Sequence, residues 1–215
     1  MIITPPDHPT VRQALIEQQS AGLPIVQVVT RATGIDSDYV GIDNRAAGRS
    51  AAMFMSRMQS RPGSVVALCH STIYQVQRER IEGFSDYFIH NPREGMVFRR
   101  VMFGHDEAEL SGKVLRETLA DFPDLVGFYN AGGANSTVSE VLRRHSAPGQ
   151  VFFVGHELTE RSASALKENV MSVVLDQSPE LQAKRAVDVM LSRLGLIPSL
   201  SNPPIPFITL TAENV

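Results

Sequence analysis

The chain has 215 residues, of which 43% are hydrophobic and 20% charged, and a net charge of −3. That suffices for one large domain or two small lobes and lacks the basic footprint of a nucleic-acid binder. A lone cysteine, Cys69, rules out an internal disulfide framework. The opening MIITPPDHPT carries no signal-peptide pattern, and no window approaches the ~18 apolar residues of a membrane span, so a cytoplasmic protein without a membrane partner is expected.

Taken in chain order, short apolar runs alternate with helical periodicity. IVQVV (25–29) and VGI (40–42) read as strands. Asp43 and Asn44 open a helix whose apolar stripe is Ala47, Ala51, Phe54, Met55 and Met58. After VVAL (65–68) comes a helix carrying Ile81, Phe84 and Phe88, then the strand VFRRVMF (97–103). Asp106 is read as the cap of a helix with acids in its first turn. LVGFY (125–129), a helix with Val138, Val141 and Leu142, VFFV (151–154) and SVVL (172–175) follow. Ser178-Pro179 starts the last helix, 180–194. The Pro-rich SNPPIP (201–206) is a stiff connector before a final strand, FITLT (207–211). The alternation is that of βα units on a parallel sheet.

Ligands of open α/β sheets bind outside the carboxyl ends of the strands. Here those ends are polar: Thr30 and Arg31, Asp43 and Asn44, His70 to Thr72 with Arg80 soon after, Gly104 and His105, Asn130, His156 and Glu157, Asp176 and Gln177. Planar amide, carboxylate and guanidinium groups hold hydroxyls in fixed geometry. The run VFFVGHELT (151–159) poses the sharpest question, because a buried strand delivers a carboxylate that needs a partner.

Four stretches, VGIDNRAAGRSAA (40–52), RERIEGF (78–84), LVGFYNAGGANSTVSEVL (125–142) and VFFVGHELT with SVVLDQ (172–177), occur in an order that resembles the effector-binding domain of LacI-family transcriptional regulators and the related periplasmic sugar-binding proteins. The resemblance implies an α/β, periplasmic-binding-protein-like type I fold. Two doubly wound parallel-sheet lobes are expected, an incomplete N-terminal one from 1–43 and 179–197 and a C-terminal one from 44–176 and 205–215. It further implies a small sugar or polyol effector in an interlobe cleft, and lobe closure transmitted to an upstream DNA-binding headpiece that this chain does not contain. Arg80, Asn130 and Gln177 match the family's ligand-holding Arg, Asn and Gln; Glu157 stands where an Asp is usual, and Arg31 matches an arginine of the ribose-type proteins. The stacking aromatic falls on Gly104, with Phe103 or His105 as substitutes, and His156 replaces a Tyr or Phe. Gly155 is expected to turn the chain so that Glu157 faces the ligand; the alternative is that Glu157 caps the next helix.

An incomplete parallel sheet leaves an open edge, so self-association as a homodimer, a swapped arrangement, or disorder in residues 1–40 is expected. The other settings for the same fold are the sugar-binding protein of an ABC transporter and an interaction module that has lost its ligand. No catalytic residue, cofactor or metal is expected. His156 and Glu160 brush the HExxH zinc pattern, but at a strand end rather than on one helix face, and Cys69, His70 and Ser71 point alternately on a strand.

Overall fold

The computed structural model describes residues 1–215. The elements are β1 (Ile2–Ile3), α1 (Pro9–Ser20), β2 (Val26–Val28), β3 (Asp38–Val40), α2 (Asn44–Met58), β4 (Gly63–Cys69), α3 (Gln75–His90), β5 (Met96–Phe103), α4 (Ala108–Asp121), β6 (Leu125–Asn130), α5 (Asn135–His145), β7 (Phe152–His156), α6 (Glu160–Lys167), β8 (Val173–Asp176), α7 (Pro179–Arg193) and β9 (Ile208–Leu210). They form two units. One comprises Met1–Asp43, Thr72–Val76 and Gln177–Phe207; the other comprises Asn44–Ser71, Gln77–Asp176 and Ile208–Val215.

The second unit is a six-stranded sheet in the order β5-β4-β6-β7-β8-β9, parallel except for the β8–β9 pair. The chain runs from β4 to β5 on one side and returns to β6 on the other, which makes the carboxyl ends of β4 and β6 the topological switch point. Residues of β4 and β6 are buried almost throughout, as strands covered on both faces must be. On one face, Leu115, Leu119, Val138, Val141, Leu142, Ala165 and Leu166 of α4, α5 and α6 pack with Phe128 and Phe153. On the other, Phe84 of α3 stacks on Tyr129 with ring centroids 4.6 Å apart.

The first unit is a three-stranded parallel sheet in the order β1-β2-β3. Leu15 of α1 packs with Ile25 and Ala32, and Met1, Ile3, Val11 and Ile35 lean on them. Helix α7 packs across all three strands, with Ala186 and Val189 buried. His8 caps α1 by accepting from the Thr10 N–H, and Pro9 supplies the first helical residue.

Two local expectations are corrected. The strand read at 40–42 ends at Val40, because the Gly41 carbonyl leaves the ladder to accept from the Ile205 N–H. Asp106 does not cap α4: His105 and Asp106 are both left-handed, at φ +48 and +60, and the cap is Glu107, with no side-chain bond.

Candidate functional site

The polar cluster at the carboxyl ends of the second unit's strands is built around Arg80. Two glycines bring it there. Gly48 of α2 sits on the Arg80 carbonyl oxygen and Gly83 of α3 on the Arg45 carbonyl oxygen; a Cβ at either place would overlap that oxygen. The small-residue helix and the Arg-x-x-Gly motif are thus two halves of one close helix crossing. The Arg80 guanidinium is buried. Its Nε donates to Asn44 Oδ1 at 3.0 Å and its Nη1 to the Ala131 carbonyl at 3.0 Å. Its Nη2 lies 3.9 Å from the Glu157 carboxylate, an ion-pair distance rather than a hydrogen-bond distance. Arg80 is thus the cation that faces the Glu157 carboxylate.

The turn that presents Glu157 differs from the expected one. Gly155 lies inside β7, where a Cβ would press on Met171 Cε at 2.7 Å and on Asn135 Oδ1 at 2.8 Å. Close packing, not a turn, requires the glycine. The chain turns at Glu157 itself, at φ +68, a conformation that costs a non-glycine residue on the order of 1–3 kcal/mol. It is pinned on both sides. The Glu157 carbonyl accepts from Ser162 Oγ at 2.8 Å and the Leu158 N–H donates to Asp176 Oδ2 at 2.9 Å. Thr159 and Ser162 form a reciprocal capping box for α6, so the Glu157 carboxylate is not the helix cap. That side chain is 38% exposed while Arg80 is nearly enclosed.

Asn130 is fully buried and its amide is saturated. Nδ2 donates to the Gly133 carbonyl at 2.6 Å and to Asn135 Oδ1 at 2.8 Å. Oδ1 accepts from the Gly132 N–H at 3.3 Å and faces His70 Nε2 at 3.3 Å. That is the full capacity of a primary amide. Asn130 shapes the 131–135 turn that offers the Ala131 carbonyl to Arg80. Asn135 extends the network by donating to the His156 carbonyl at 2.6 Å.

His156 points into the core. Its Nε2 meets the Tyr129 hydroxyl at 2.8 Å, and the residue is wholly buried. Burial first, and the Arg80 charge second, hold it well below the ordinary histidine range, so it is neutral. Burial likewise lowers His70, against the opposing hydrogen bond from Asn130.

The remaining candidates are more dispersed. His105 is exposed in a left-handed turn beside Phe103, ring centroids 6.5 Å apart. Gly104 cannot carry an aromatic ring, because a Cβ there would overlap Ser111 Oγ and lie 3.2 Å from His70 Nδ1; Phe103, 43% exposed, is the aromatic side chain at this strand end. Arg31 and Gln177 belong to the first unit. The Arg31 guanidinium lies 5.2 Å from the Tyr39 ring centroid, and the Gln177 carbonyl accepts from Gln182 Nε2 at 2.7 Å. Asn44 and His70 are among the polar strand ends of the sequence, with no ligand role expected of them, and Asn135 is a further member of the network. Their signals were present in the Asp43-Asn44 pair, the polar end of VVAL and the second asparagine of NAGGAN. His156 and Glu160 lie on a strand and a helix respectively, not on one helix face. The buried Cys69 thiol is pushed up to about 11, mainly by desolvation, which makes it a poor nucleophile.

A doubly wound sheet with a caged arginine and a half-exposed carboxylate at its switch-point end defines an α/β ligand-binding fold rather than a nucleotide-loop or nucleophile-elbow fold. A family model described as a periplasmic binding protein domain matches residues 1–195, and the chain belongs to that family. No curated protein matches the chain in sequence. Among solved structures, the fold is similar to GanP, a glucose-galactose binding protein from Geobacillus stearothermophilus, with TM-score 0.89 and 17% identity over 100% of this chain and 76% of that one. It is equally similar, at TM-score 0.89, to an ABC transporter solute-binding protein from Burkholderia graminis in complex with D-arabinose, 19% identical over 99% of this chain and 75% of that one. A third, from Agrobacterium vitis and bound with α-D-tagatopyranose, has TM-score 0.89 and 20% identity over 99% and 75%.

Proposed function

We propose that the chain binds a small sugar or polyol through the strand-end cluster of its second unit, as the solute-binding protein of an ABC-type transport system. The observation that carries this reading is the Arg80 clamp: a buried guanidinium fixed by Asn44 and Ala131 beside the half-exposed Glu157 carboxylate. A cation and an anion held side by side can donate to one hydroxyl and accept from the next, and hydrogen bonds to charged groups contribute roughly 1.5–3 kcal/mol each. Phe103 offers a ring face at the same end of the sheet. The sugars named for the solved structures of this fold, D-arabinose, tagatopyranose and D-allose, support the ligand class, and the transport role named for those proteins supports the setting.

A second setting, the sensing domain of a LacI-type regulator, rests on the order of the four sequence motifs. In that setting the chain is cytoplasmic and dimeric, and reaches DNA only through an upstream headpiece. Where the native protein resides in the cell separates the two settings.

Ligand binding is tested by thermal unfolding with D-arabinose, D-tagatose, D-allose, D-glucose and D-galactose, repeated with Arg80→Lys and Glu157→Gln. A sugar at a hundred times its Kd stabilises by about 2.7 kcal/mol, a shift on the order of 5–10 °C for a chain of this size. Both substitutions should weaken binding at least tenfold. A sugar that stabilises all three proteins equally would remove this cluster from the binding site, and an unresponsive wild-type protein would sink sugar binding.

A further inference from the structure

The carboxyl end of the second unit's sheet is split between β6 and β7. The two strands pair in parallel as far as Tyr129 and Val154. Beyond that point each stays with its other neighbour. The Ala131 N–H donates to the Leu68 carbonyl of β4 at 2.9 Å. On the far side His156 pairs with Leu175 of β8, and the Glu157 N–H points to the Leu175 carbonyl at 3.4 Å. The two halves of the charge pair therefore stand on different prongs of a fork. Arg80 is tied to the Ala131 carbonyl on one prong, and Glu157 is carried by the other.

Asn135, the first residue of α5, fills the fork. Its Oδ1 accepts from Asn130 Nδ2 at 2.8 Å, and its Nδ2 donates to the His156 carbonyl at 2.6 Å. A side-chain amide holds its acceptor and its donor in one plane, so it joins the prongs where the ladder stops. Gly155 lies against it: a Cβ there would stand 2.8 Å from Asn135 Oδ1. The close packing that requires this glycine is thus, in part, the seat of the Asn135 amide. On the β6 prong, Asn130 passes the tie to the turn that offers the Ala131 carbonyl to Arg80. On the β7 prong, the bonded carbonyl immediately precedes Glu157, whose own turn is fixed by Ser162 and, through Leu158, by Asp176.

We propose that Asn135 is a positioning residue of the binding site: it latches the fork and so sets the spacing of Arg80 and Glu157. Its bonds run to Asn130 and His156 rather than to either charged group. The guanidinium donates to one hydroxyl and the carboxylate accepts from the next, so their spacing selects the arrangement of hydroxyls that both can reach. A spacing held by side chains locked in their own hydrogen bonds is what such selection needs. The effect on affinity rests on the sugar-binding reading; the latch itself does not.

Asn135→Asp separates the two links. Its carboxylate still accepts from Asn130 but sets an oxygen against the His156 carbonyl, and an acid in the first turn suits α5 itself. Asn135→Ala removes both links. Hydrogen exchange of the full chain without sugar reads the latch: both variants should speed the amides of Ala131 and Glu157 and leave the paired stretch Gly127–Tyr129 at wild-type rates. Calorimetry with D-arabinose, D-tagatose, D-allose, D-glucose and D-galactose reads the spacing. The sugar bound most tightly by the wild-type chain should bind Asn135→Asp on the order of tenfold more weakly. In a Glu157→Gln background the same change should cost less than about threefold, because the spacing matters less once the carboxylate is gone. Unaltered exchange at Ala131 and Glu157 in both variants would overturn the latch. Equal acceleration of Gly127–Tyr129 would do the same, since Asn135 would then hold the whole unit rather than the fork. Equal losses of affinity in the two backgrounds would overturn the positioning role. Faster exchange at the prongs in a chain whose wild type binds none of the five sugars would sink sugar binding and leave the latch standing.

Discussion

In the second unit six strands share one sheet, helices cover both faces, and polar groups at the strand ends are tied into one network through Arg80, Asn130 and Asn135. In the first unit three strands share a sheet, and the apolar cluster under α1 is built on only three buried residues, Leu15, Ile25 and Ala32. Its surface retains Ile2, Ile16, Val187, Leu194 and Leu196 as exposed apolar side chains. The building rule is the same in both, but in the second unit α4, α5 and α6 also pack on one another, whereas α7 packs mainly on strands. An apolar stripe on α7 therefore stays partly wet, whereas the stripes of α4 and α5 disappear into the core.

This contrast has a direct consequence for local stability. Phe153→Ala, at the centre of the larger cluster, should cost roughly 3–5 kcal/mol and speed hydrogen exchange throughout β4, β6 and β7. Leu15→Ala should speed exchange at Val26–Val28 and leave the amides of β4 and β6 at wild-type rates. Equal acceleration of β4 and β6 by Leu15→Ala would break the comparison, because the two units would then unfold as one.

The second unit also holds the buried histidines, His70 and His156. Desolvation lowers both relative to an unfolded histidine near 6.5. Below about pH 6.5 the unfolded chain takes up protons that the folded chain refuses, so stability is present above that pH and is lost as the pH falls toward the folded values. The slope is at most about 1.4 kcal/mol per pH unit for each histidine. Urea midpoints measured between pH 7.5 and 5.5 should fall, and His156→Gln should flatten part of that fall. A midpoint independent of pH over this range would mean that these histidines titrate alike in both states.

How much of this was legible from sequence follows the same contrast. Long apolar runs such as VVAL and VFFV are strands because nothing else with that length and β-branching fits, and the periodicity of α4 and α5 is clear. Helix α1 is not legible in the sequence, because its stripe is little more than Val11 and Leu15 and only Leu15 is buried. The cluster was half legible. Residue types at strand ends pointed to Arg80, Asn130 and Glu157. The roles did not follow, because an asparagine that lines a ligand and one that saturates itself on Gly132, Gly133 and Asn135 look alike in a string of letters. Gly155 misled for a related reason: glycine marks a turn or a close approach, and only the position of Met171 and Asn135 decides between them.

The smallest effect lies in the first unit, at Val29. This β-branched residue is held at φ +67 by its N–H, which donates to the Val40 carbonyl at 3.0 Å, and by its carbonyl, which accepts from the Tyr39 hydroxyl at 2.9 Å. Left-handed backbone at such a residue costs on the order of 1–3 kcal/mol, and asparagine tolerates it better. Against that gain stands the lost burial of a half-buried valine, about 1 kcal/mol. Val29→Asn should therefore raise stability by less than about 1 kcal/mol, seen as a small rise in Tm. Val29→Gly should gain less than Asn, because glycine adds roughly 0.5–1 kcal/mol of unfolded-state entropy to be lost on folding. The order Asn above Gly above Val is the signature of strain. The order Val above both would mean that the packing of this side chain outweighs its backbone, and that the first unit depends on its few apolar contacts even where they force an unfavourable turn.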